Sequence, residues 1–301
     1  MAIKVGNVDL VLDRLEKGVT YNDGDVEDDI IKYVSQDADL NDVIKNDLRW
    51  PVLYHLSKKR ENLLDWYDFD PEASLLEIGA GCGALTGMFC RKVANVTAVE
   101  ISERRARIVA IRNQKVDNLT VHACRFENLP MEQKFDYVTL IGVLEYAGRY
   151  HGSEDPYADF LNSVRARLKE EGTLILAMEN KLGLKYWAGA PEDHTGVLFE
   201  NIEGYVGKTD VRTFGRKELE VLLRSAGFND LDFYYPMPDY KMPDMLFSED
   251  HLPHLGDLSQ SAPNYDQPRH ILFREGLAMD SVIKNGVFGT MANSFLVFCR
   301  G

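Results

Sequence analysis

Cysteine is scarce in this sequence. Its 301 residues include only Cys82, Cys90, Cys124 and Cys299, which form neither a CxxC pair nor the Cys/His spacing of a zinc site. This scarcity argues against a disulfide framework, a structural zinc or a redox pair, and we predict no metal site. A chain of this length can bury a sizeable core without covalent cross-links. We therefore expect a protein of the reduced cytoplasm.

Long apolar runs and positive charge are also lacking. No stretch approaches the roughly 20 apolar residues of a membrane span, and the first residues mix charged and apolar side chains too evenly for a signal peptide. Lys and Arg total 34 against 48 Asp and Glu, a formal charge of −14. Because nucleic-acid binding depends on clustered cations, we expect neither a nucleic-acid partner nor membrane insertion.

Apolar periodicity divides the sequence near residue 70. Before it, Val8, Leu12 and Leu15 are spaced as on a helix, so 1–70 is predicted to be an N-terminal helical cap. After it, strand-like runs alternate with amphipathic helices, which predicts an α/β domain over 71–301 with a parallel sheet and helices on both faces. The strand-like runs are SLLEIG, NVTAVEI, NLTVHA, FDYVTLIG, GTLILAME, LDFYYP and SFLVFCRG. Two irregular segments, 181–212 and 241–292, are predicted to be lids over an acceptor site.

A glycine-rich turn follows the first of these strands. In LLEIGAGCGAL, Gly79 and Gly81 let the backbone turn sharply and approach a ligand without a Cβ in the way, ahead of a helix. The turn therefore predicts a nucleotide-like ligand. The same spacing occurs in dinucleotide folds, so an NAD(P)-dependent oxidoreductase or epimerase stays open as an alternative.

Three further residues narrow the choice of ligand. Glu77 precedes the glycines, where its carboxylate can order the turn and meet a cationic amino group through water. Glu100 closes the second strand, where a carboxylate can accept both hydroxyls of a ribose. Gly142 follows the fourth strand and is small enough for a ligand to lie against the strand's carboxyl end. Together they favour an adenosyl amino acid over a pyrophosphate.

EIGAGCG, the acidic end of VTAVEIS, FENLP and FDYVTLIGVLEY resemble, in order, the motifs of class I S-adenosylmethionine (SAM)-dependent methyltransferases over residues 74–179. The resemblance implies a Rossmann-like, seven-stranded, mostly parallel sheet whose last strand, SFLVFC, is antiparallel. It implies SAM as cofactor and methyl transfer as activity. A binding module that keeps the fold without catalysis stays open as an alternative.

The same resemblance assigns the cofactor contacts. The glycine turn, with Gly79, Ala80, Gly81 and Gly83, would surround the methionyl part, and Glu100 would bind the ribose. The adenine would lie against Ile101, Phe126 and Glu127, and the methionine portion would reach Ile141 and Gly142. Arg125 stands where many relatives carry an acidic residue beside the adenine amino group, which leaves that contact to Glu127 or to the backbone.

A narrower resemblance concerns the acceptor. WPVLYHLSKKRENLL, ENKLGLKYWAGAPEDHTG and FYYPMPDYKMP are similar to methyltransferases associated with bacterial glycosyltransferases of surface-polysaccharide assembly. That resemblance implies a small-molecule or glycan acceptor, O-methylation and a glycosyltransferase partner.

Three side chains are candidate catalytic groups. Methylating a hydroxyl benefits from a general base, for which His194 is the first candidate, His151 a competitor and Glu145 a third. Each has a structural alternative: His194 can fix a loop, and Glu145 can hold the SAM amino group or brace a turn.

Arg60 is either a contact to the methionyl carboxylate or a surface residue. Four aromatic residues are candidates for a sugar platform or for core packing: Tyr186, Trp187, Tyr235 and Tyr240.

Overall fold

A computed structural model describes residues 2–16, 22–36, 38–130, 133–150, 153–206, 210–264 and 269–301. The chain forms two compact units. The first comprises Met1–Leu140 and Arg167–Gly172, and the second comprises Ile141–Ala166 and Thr173–Gly301. The boundary predicted near residue 70 coincides with none of the three junctions between these units.

The first unit is built on strands in the order β1-β2-β5-β4-β3-β6. Only β1 and β2 are antiparallel; the pairs β2 with β5, β5 with β4, β4 with β3 and β3 with β6 are parallel. Its elements are β1 (Ala2–Val5), β2 (Val8–Val11), α1 (Val26–Ser35), α2 (Leu40–Asn46), α3 (Trp50–Leu56), β3 (Ser74–Ile78), α4 (Thr86–Lys92), β4 (Asn95–Glu100), α5 (Glu103–Arg112), β5 (Leu119–Ala123) and β6 (Phe135–Ile141, whose last residue opens the second unit). A 3₁₀ helix spans Lys58–Leu63. The first four predicted core strands are confirmed.

The prediction that residues 1–70 are helical is wrong at their start. Residues 2–11 form the antiparallel pair β1 and β2, and β2 continues the parallel sheet beside β5. Val8 and Leu10 are both fully buried, a period of two that identifies a strand. The apparent helical spacing of Val8, Leu12 and Leu15 was misleading because Leu15 is exposed. Among the described residues, the first helix begins at Val26.

The second unit carries strands in the order β7-β10-β8-β9. Its elements are α6 (Ala147–Tyr150), α7 (Pro156–Arg165), β7 (Leu168–Glu179, whose first five residues belong to the first unit), α8 (Leu184–Trp187), α9 (Arg216–Ser225), β8 (Asp230–Met237), β9 (Met245–Ser248), α10 (Glu275–Lys284), α11 (Phe288–Met291) and β10 (Ser294–Arg300). β10 pairs antiparallel with both β7 and β8, as predicted for the last core strand. The described residues contain ten strands, not the seven predicted, because β1, β2 and β9 were missed.

The helices are short, and none of those described exceeds ten residues. α9 turns Leu219 and Leu223 inward, and the chain reverses just beyond it at Gly227, whose φ of 88° suits glycine. Over the part of the chain that the structure describes, no helix is long and apolar enough to cross a membrane.

The N-terminal helices are held to α5 by apolar packing and by buried charge. Val26, Ile30 and Leu56 pack with Ile108 and with Cys82 of the glycine turn. Beside them, Arg105 donates through Nε to Glu27 at 2.6 Å, and Glu27 is fully buried. A buried carboxylate needs such a partner, so this ion pair orients α1 on α5.

Replacing Arg105 tests how much this ion pair contributes to the stability of the fold. We expect Arg105→Ala to lower the free energy of unfolding by about 3 kcal/mol, because it removes a buried arginine that pairs with both Glu27 and Asp23 and leaves Glu27 with Arg104 as its remaining charged donor. Arg107→Ala, which removes only the half-exposed pair with Glu103, is the matched control, and its expected cost is about 0.5 kcal/mol or less. Urea denaturation measures both. Equal losses would show that the Glu27 pair contributes nothing beyond a surface pair.

Candidate functional site

The glycine turn of the first unit has the geometry that the sequence predicts. The backbone φ angles are 75° at Gly79, 55° at Gly81 and 74° at Gly83, values that residues with a Cβ rarely adopt. The amide N–H groups of Gly79 and Ala80 both donate to the carbonyl of Val99 in β4. Gly79 is exposed. The turn therefore holds an open backbone surface at the carboxyl end of β3.

Glu100 is built into this turn. One of its carboxylate oxygens accepts the N–H of Gly81 at 2.8 Å, and the other accepts the N–H of Ser102 at 2.9 Å. Burial raises the pKa of Glu100, although Arg105 opposes the shift. Each oxygen keeps a second lone pair that can accept a hydroxyl. Glu100 thus positions the glycine turn as well as offering acceptors to a ribose.

Glu77 lies beneath the turn, almost fully buried. Its carboxyl accepts the hydroxyl of Thr86 at 2.6 Å. Burial raises the pKa of Glu77 to about 8, with Thr86 opposing the shift and Glu100 adding to it. At neutral pH the carboxyl is therefore largely protonated, and a cationic group beside it would restore its charge.

Two residues of the N-terminal part cover this region. Arg60, 5% exposed, stacks its guanidinium 4.1 Å from the ring centre of Tyr54, so it is not a surface residue. The ring of His55 lies 3.8 Å from the position that a Cβ would take on Gly81, and its Nε2 bonds Asp23 at 2.7 Å. Asp23 was not predicted, because nothing in the sequence relates it to His55, which lies 32 positions away. The Arg60 contact to a carboxylate stays a prediction.

The residues predicted around the adenine differ in their exposure. Ile101 is half-buried just after β4. Phe126 is buried, with the guanidinium of Arg167 5.4 Å from its ring centre. Glu127 is exposed and pairs with Arg125 at 3.4 Å. This geometry does not test the predicted adenine contact, which stays open between Glu127 and the backbone.

Ile141 and Gly142 open the second unit, and both are half-buried. Gly142 has a φ of 69°, and a Cβ placed on it would come within 2.6 Å of the Tyr240 hydroxyl. A glycine is therefore required here by Tyr240 itself. The predicted contact of Gly142 with methionine is not tested by this geometry.

The second unit gathers Glu145, Glu179 and His194, which we call the Glu-Glu-His cluster. One potential ligand atom from each residue lies within 4.8 Å of those from the other two. Glu145 follows β6 in a 3₁₀ turn, Glu179 ends β7, and His194 lies in the loop after α8. Two of the three predicted catalytic residues thus meet. Glu179 was missed, although its place at the end of a strand is the signal that identified Glu100.

Glu145 is completely buried, and neither of its carboxyl oxygens has a hydrogen-bond partner among the described residues. Burial, then the neighbouring Glu179, raises the pKa of Glu145 to about 8. Glu179 behaves differently. Burial would raise its pKa, but Lys241, 2.6 Å from Oε1, holds it below the ordinary value, and Oε2 has no partner.

His194 is oriented by Glu192. The fully buried Glu192 carboxylate bonds His194 Nδ1 at 2.9 Å and accepts the backbone N–H groups of His194 and Thr195 at 2.7 Å each. Burial lowers the pKa of His194, but the bond to Glu192 and the charge of Glu179 overcome this and raise it to about 9. Glu192 therefore holds this loop and the imidazole together, and the role of His194, catalytic or structural, stays a prediction.

Asp193 orients lysines rather than His194. Its carboxylate bonds Lys185 at 2.9 Å, Lys241 at 2.5 Å and the hydroxyl of Tyr186 at 2.5 Å. Lys241 thus bridges Asp193 and Glu179. These lysines supply positive charge next to Glu179.

The remaining predicted residues differ in how far they are exposed to solvent. Tyr186, Tyr235 and Tyr240 are buried, so core packing accounts for them, whereas Trp187 is 42% exposed. His151 lies outside the described residues.

With this geometry in place, comparison with known proteins assigns the central region. Residues 76–174, about a third of the chain, match the family described as "Methyltransferase domain". The matched part begins within β3 and ends within β7, and so includes the glycine turn and Glu100. SAM is accordingly the cofactor of this domain.

Individual relatives are distant. The chain is 32% identical over 105 residues to an uncharacterized methyltransferase of Staphylococcus carnosus, covering 35% of this chain and 46% of that protein. It is 27% identical over 267 residues to fusarielin synthase of Gibberella zeae, covering 76% of this chain and 9% of that protein. The chain thus spans less than half the length of either relative. A SAM-dependent methyltransferase structure from Archaeoglobus fulgidus is 14% identical with a TM-score of 0.48, covering 82% of this chain and 94% of that one.

The buried Glu77 makes stability depend on pH in a defined direction. Its pKa is about 8 in the folded protein against 4.5 ordinarily, so unfolding releases a proton between these values. Its contribution to stability is complete below about pH 4.5 and is lost as pH rises towards 8, with a slope of up to about 1.4 kcal/mol per pH unit.

We expect Glu77→Gln, which cannot ionise, to flatten the fall in the free energy of unfolding between pH 5 and 8. Denaturant titrations at several pH values measure it. The exposed Glu72→Gln is the control and should keep the wild-type slope. A Glu77→Gln slope identical to the wild type would mean that Glu77 ionises normally in the folded protein.

Proposed function

We propose that this protein transfers the methyl group of SAM to a hydroxyl of a small molecule or glycan. The observation that carries the proposal is the pairing of a glycine turn ordered by Glu100 with a matched methyltransferase domain. The first unit supplies acceptors for the ribose hydroxyls and a buried carboxyl, Glu77, for the amino group of the methionine part.

The chemistry asks little of the protein. The acceptor oxygen forms a bond to the methyl carbon while the carbon–sulfur bond breaks. The electron pair of the broken bond stays on sulfur, which neutralises the sulfonium and gives S-adenosylhomocysteine. The hydroxyl proton must also leave. Positioning supplies much of the rate, and removing the proton supplies more. We propose that the Glu-Glu-His cluster takes part in removing this proton and that His194 is essential to it.

The acceptor is proposed to lie between segments 181–212 and 241–292. A groove of about 760 Å³ in the second unit supports this placement, because residues of both segments line it, among them Lys181, Ile202, Glu249 and Thr290. That volume is within the usual range for small-molecule sites. Trp187, with its ring partly exposed, is the proposed aromatic face for a sugar.

The glycan class, O-methylation and a glycosyltransferase partner rest on the resemblance to methyltransferases of surface-polysaccharide assembly. The polar lining of the groove, with Lys181, Arg216 and Glu249, is compatible with a polyhydroxylated acceptor. An oxidoreductase would need a pyrophosphate site at the glycine turn, whereas the buried carboxyl of Glu77 beneath the turn suits the ammonium group of SAM.

Cofactor choice is directly measurable. We expect SAM and S-adenosylhomocysteine to bind with comparable affinity and NAD not to bind. Glu100→Ala should weaken SAM binding by about 1–3 kcal/mol, the usual cost of unsatisfied polar partners. Isothermal titration calorimetry measures both, with Glu103→Ala, on the surface of α5, as control. Tight NAD binding without SAM binding would refute the methyltransferase assignment.

Replacing His194 tests both its proposed role in proton removal and the proposed class of acceptor. We expect His194→Ala to lower kcat by roughly 10²–10⁴, the usual contribution of a proton-transfer group, with SAM binding intact. The assay is transfer from labelled SAM to sugar nucleotides and oligosaccharides, and the exposed His254→Ala is the control. Equal turnover in His194→Ala would remove His194 from the chemistry. Activity confined to acceptors other than glycans would refute the glycan class, and no transfer to any acceptor would favour a binding module.

A further inference from the structure

We propose that Glu145, Glu179 and His194 form a binding site for a divalent metal ion, with Mn²⁺ or a similar first-row cation as its natural occupant. No sequence motif indicates this site, because its three residues are 34 and 15 positions apart and belong to three different parts of the fold. The tertiary structure alone brings them together.

The donor set and its spacing suit such an ion. Two bonds of about 2.1 Å allow ligand atoms to be at most about 4.2 Å apart, so the present separations of up to 4.8 Å need only a small contraction. Imidazole together with carboxylates suits manganese, iron or zinc, whereas magnesium prefers oxygen ligands alone. Three protein ligands also leave coordination positions for water or an acceptor oxygen.

Glu145 is the observation that points to a ligand. It is 0% exposed, and both oxygens lack a hydrogen-bond partner among the described residues. A buried carboxyl without partners is costly, and proteins keep one where something binds it. One oxygen of Glu179, Oε2, is also without a partner beside it, while Lys241 occupies only Oε1.

The surroundings of His194 match those of a metal-binding imidazole. Metal-binding histidines usually donate their other ring nitrogen to a carboxylate, which fixes the ring and its tautomer. Glu192 provides this bond to Nδ1 at 2.9 Å and leaves Nε2 as the nitrogen available to a cation. Glu192 is itself held by Tyr205, whose hydroxyl donates at 3.1 Å. The side chain of His194 is 9% exposed, while both glutamates are fully buried.

An organic ammonium group is the competing occupant, since it too pairs with carboxylates. Glu179 already has an ammonium partner in Lys241. A carboxylate behind an imidazole is the usual support of a metal ligand, and Glu192 stands behind His194 in this way. The observations therefore favour the metal.

Binding of the cation does not depend on the proposed function, but its use does. If the acceptor is a hydroxyl, a cation in this site would bind its oxygen and make the proton easier to lose, because a bound cation lowers the pKa of a coordinated hydroxyl. His194 would then contribute to proton removal by holding the ion.

The test uses the full chain, dialysed against a chelator, with Mn²⁺ alone as the probe. Electron paramagnetic resonance reports free Mn²⁺ because the bound ion loses the sharp signal. We expect one Mn²⁺ per chain. Glu145→Gln and His194→Ala should each weaken binding by more than 10-fold, and Glu192→Gln by about 10- to 100-fold as an outer-shell partner. Glu203→Gln, an exposed glutamate nearby in sequence, is the matched control and should bind as the wild type does.

SAM binding by each variant verifies its fold. Absence of Mn²⁺ binding by the wild type, or equal binding by all variants, would overturn the proposal. Binding of an alkylammonium ion in place of Mn²⁺, lost in Glu145→Gln, would overturn it in favour of an amine acceptor. Mn²⁺ binding without methyl transfer to any acceptor would support the site and refute the proposed function. Methyl transfer that a chelator does not affect, in a protein that binds no Mn²⁺, would support the proposed function and refute the metal site.

Discussion

A buried carboxyl must find a partner for its charge or its oxygens, and this constraint organises both units. Eight carboxylic side chains are buried among the described residues: Glu27, Glu77, Glu100, Glu145, Glu179, Glu192, Asp239 and Glu275. Seven of them have a partner, whether an arginine, a lysine, a hydroxyl, a histidine or backbone N–H groups. Glu145 is the exception, and it lies in the cluster for which we propose chemistry.

The partners give each carboxyl a different role. Glu27 is matched by arginine and fixes a helix, whereas Glu100 is matched by backbone N–H groups and shapes a turn. Glu192 is matched by His194 and orients an imidazole. Burial raises the pKa to about 8 at Glu77 and at Glu145, and it raises the pKa of Glu100 as well. Such carboxyls are unfavourable in the free protein, and a bound cation would relieve them. The ammonium group of SAM and a metal ion are the cations that we propose.

Much of the fold was predictable because its signals are local. Each core strand from Ser74 onward is a short apolar run bounded by turn residues, and the glycine turn is a continuous motif. The first strands were missed for the opposite reason: β2 is four residues long, and its alternation at Val8 and Leu10 is too brief to outweigh a chance helical spacing through Leu15. In the cofactor site, Glu100 could be found because strand ends are places where ligands bind. Asp23 could not, because nothing in the sequence relates it to His55 or to Gly81.

The sequence by itself determined the sheet core, the glycine turn and the candidates Glu145 and His194, since each depends on residue types at short spacing. Only the tertiary structure decided which distant groups meet. It placed Glu179 beside Glu145, Glu192 behind His194 and Lys241 on one oxygen of Glu179. Those contacts fix protonation and ligand preference, because the energy of a buried charge depends on neighbours within a few ångströms, whatever their distance along the chain.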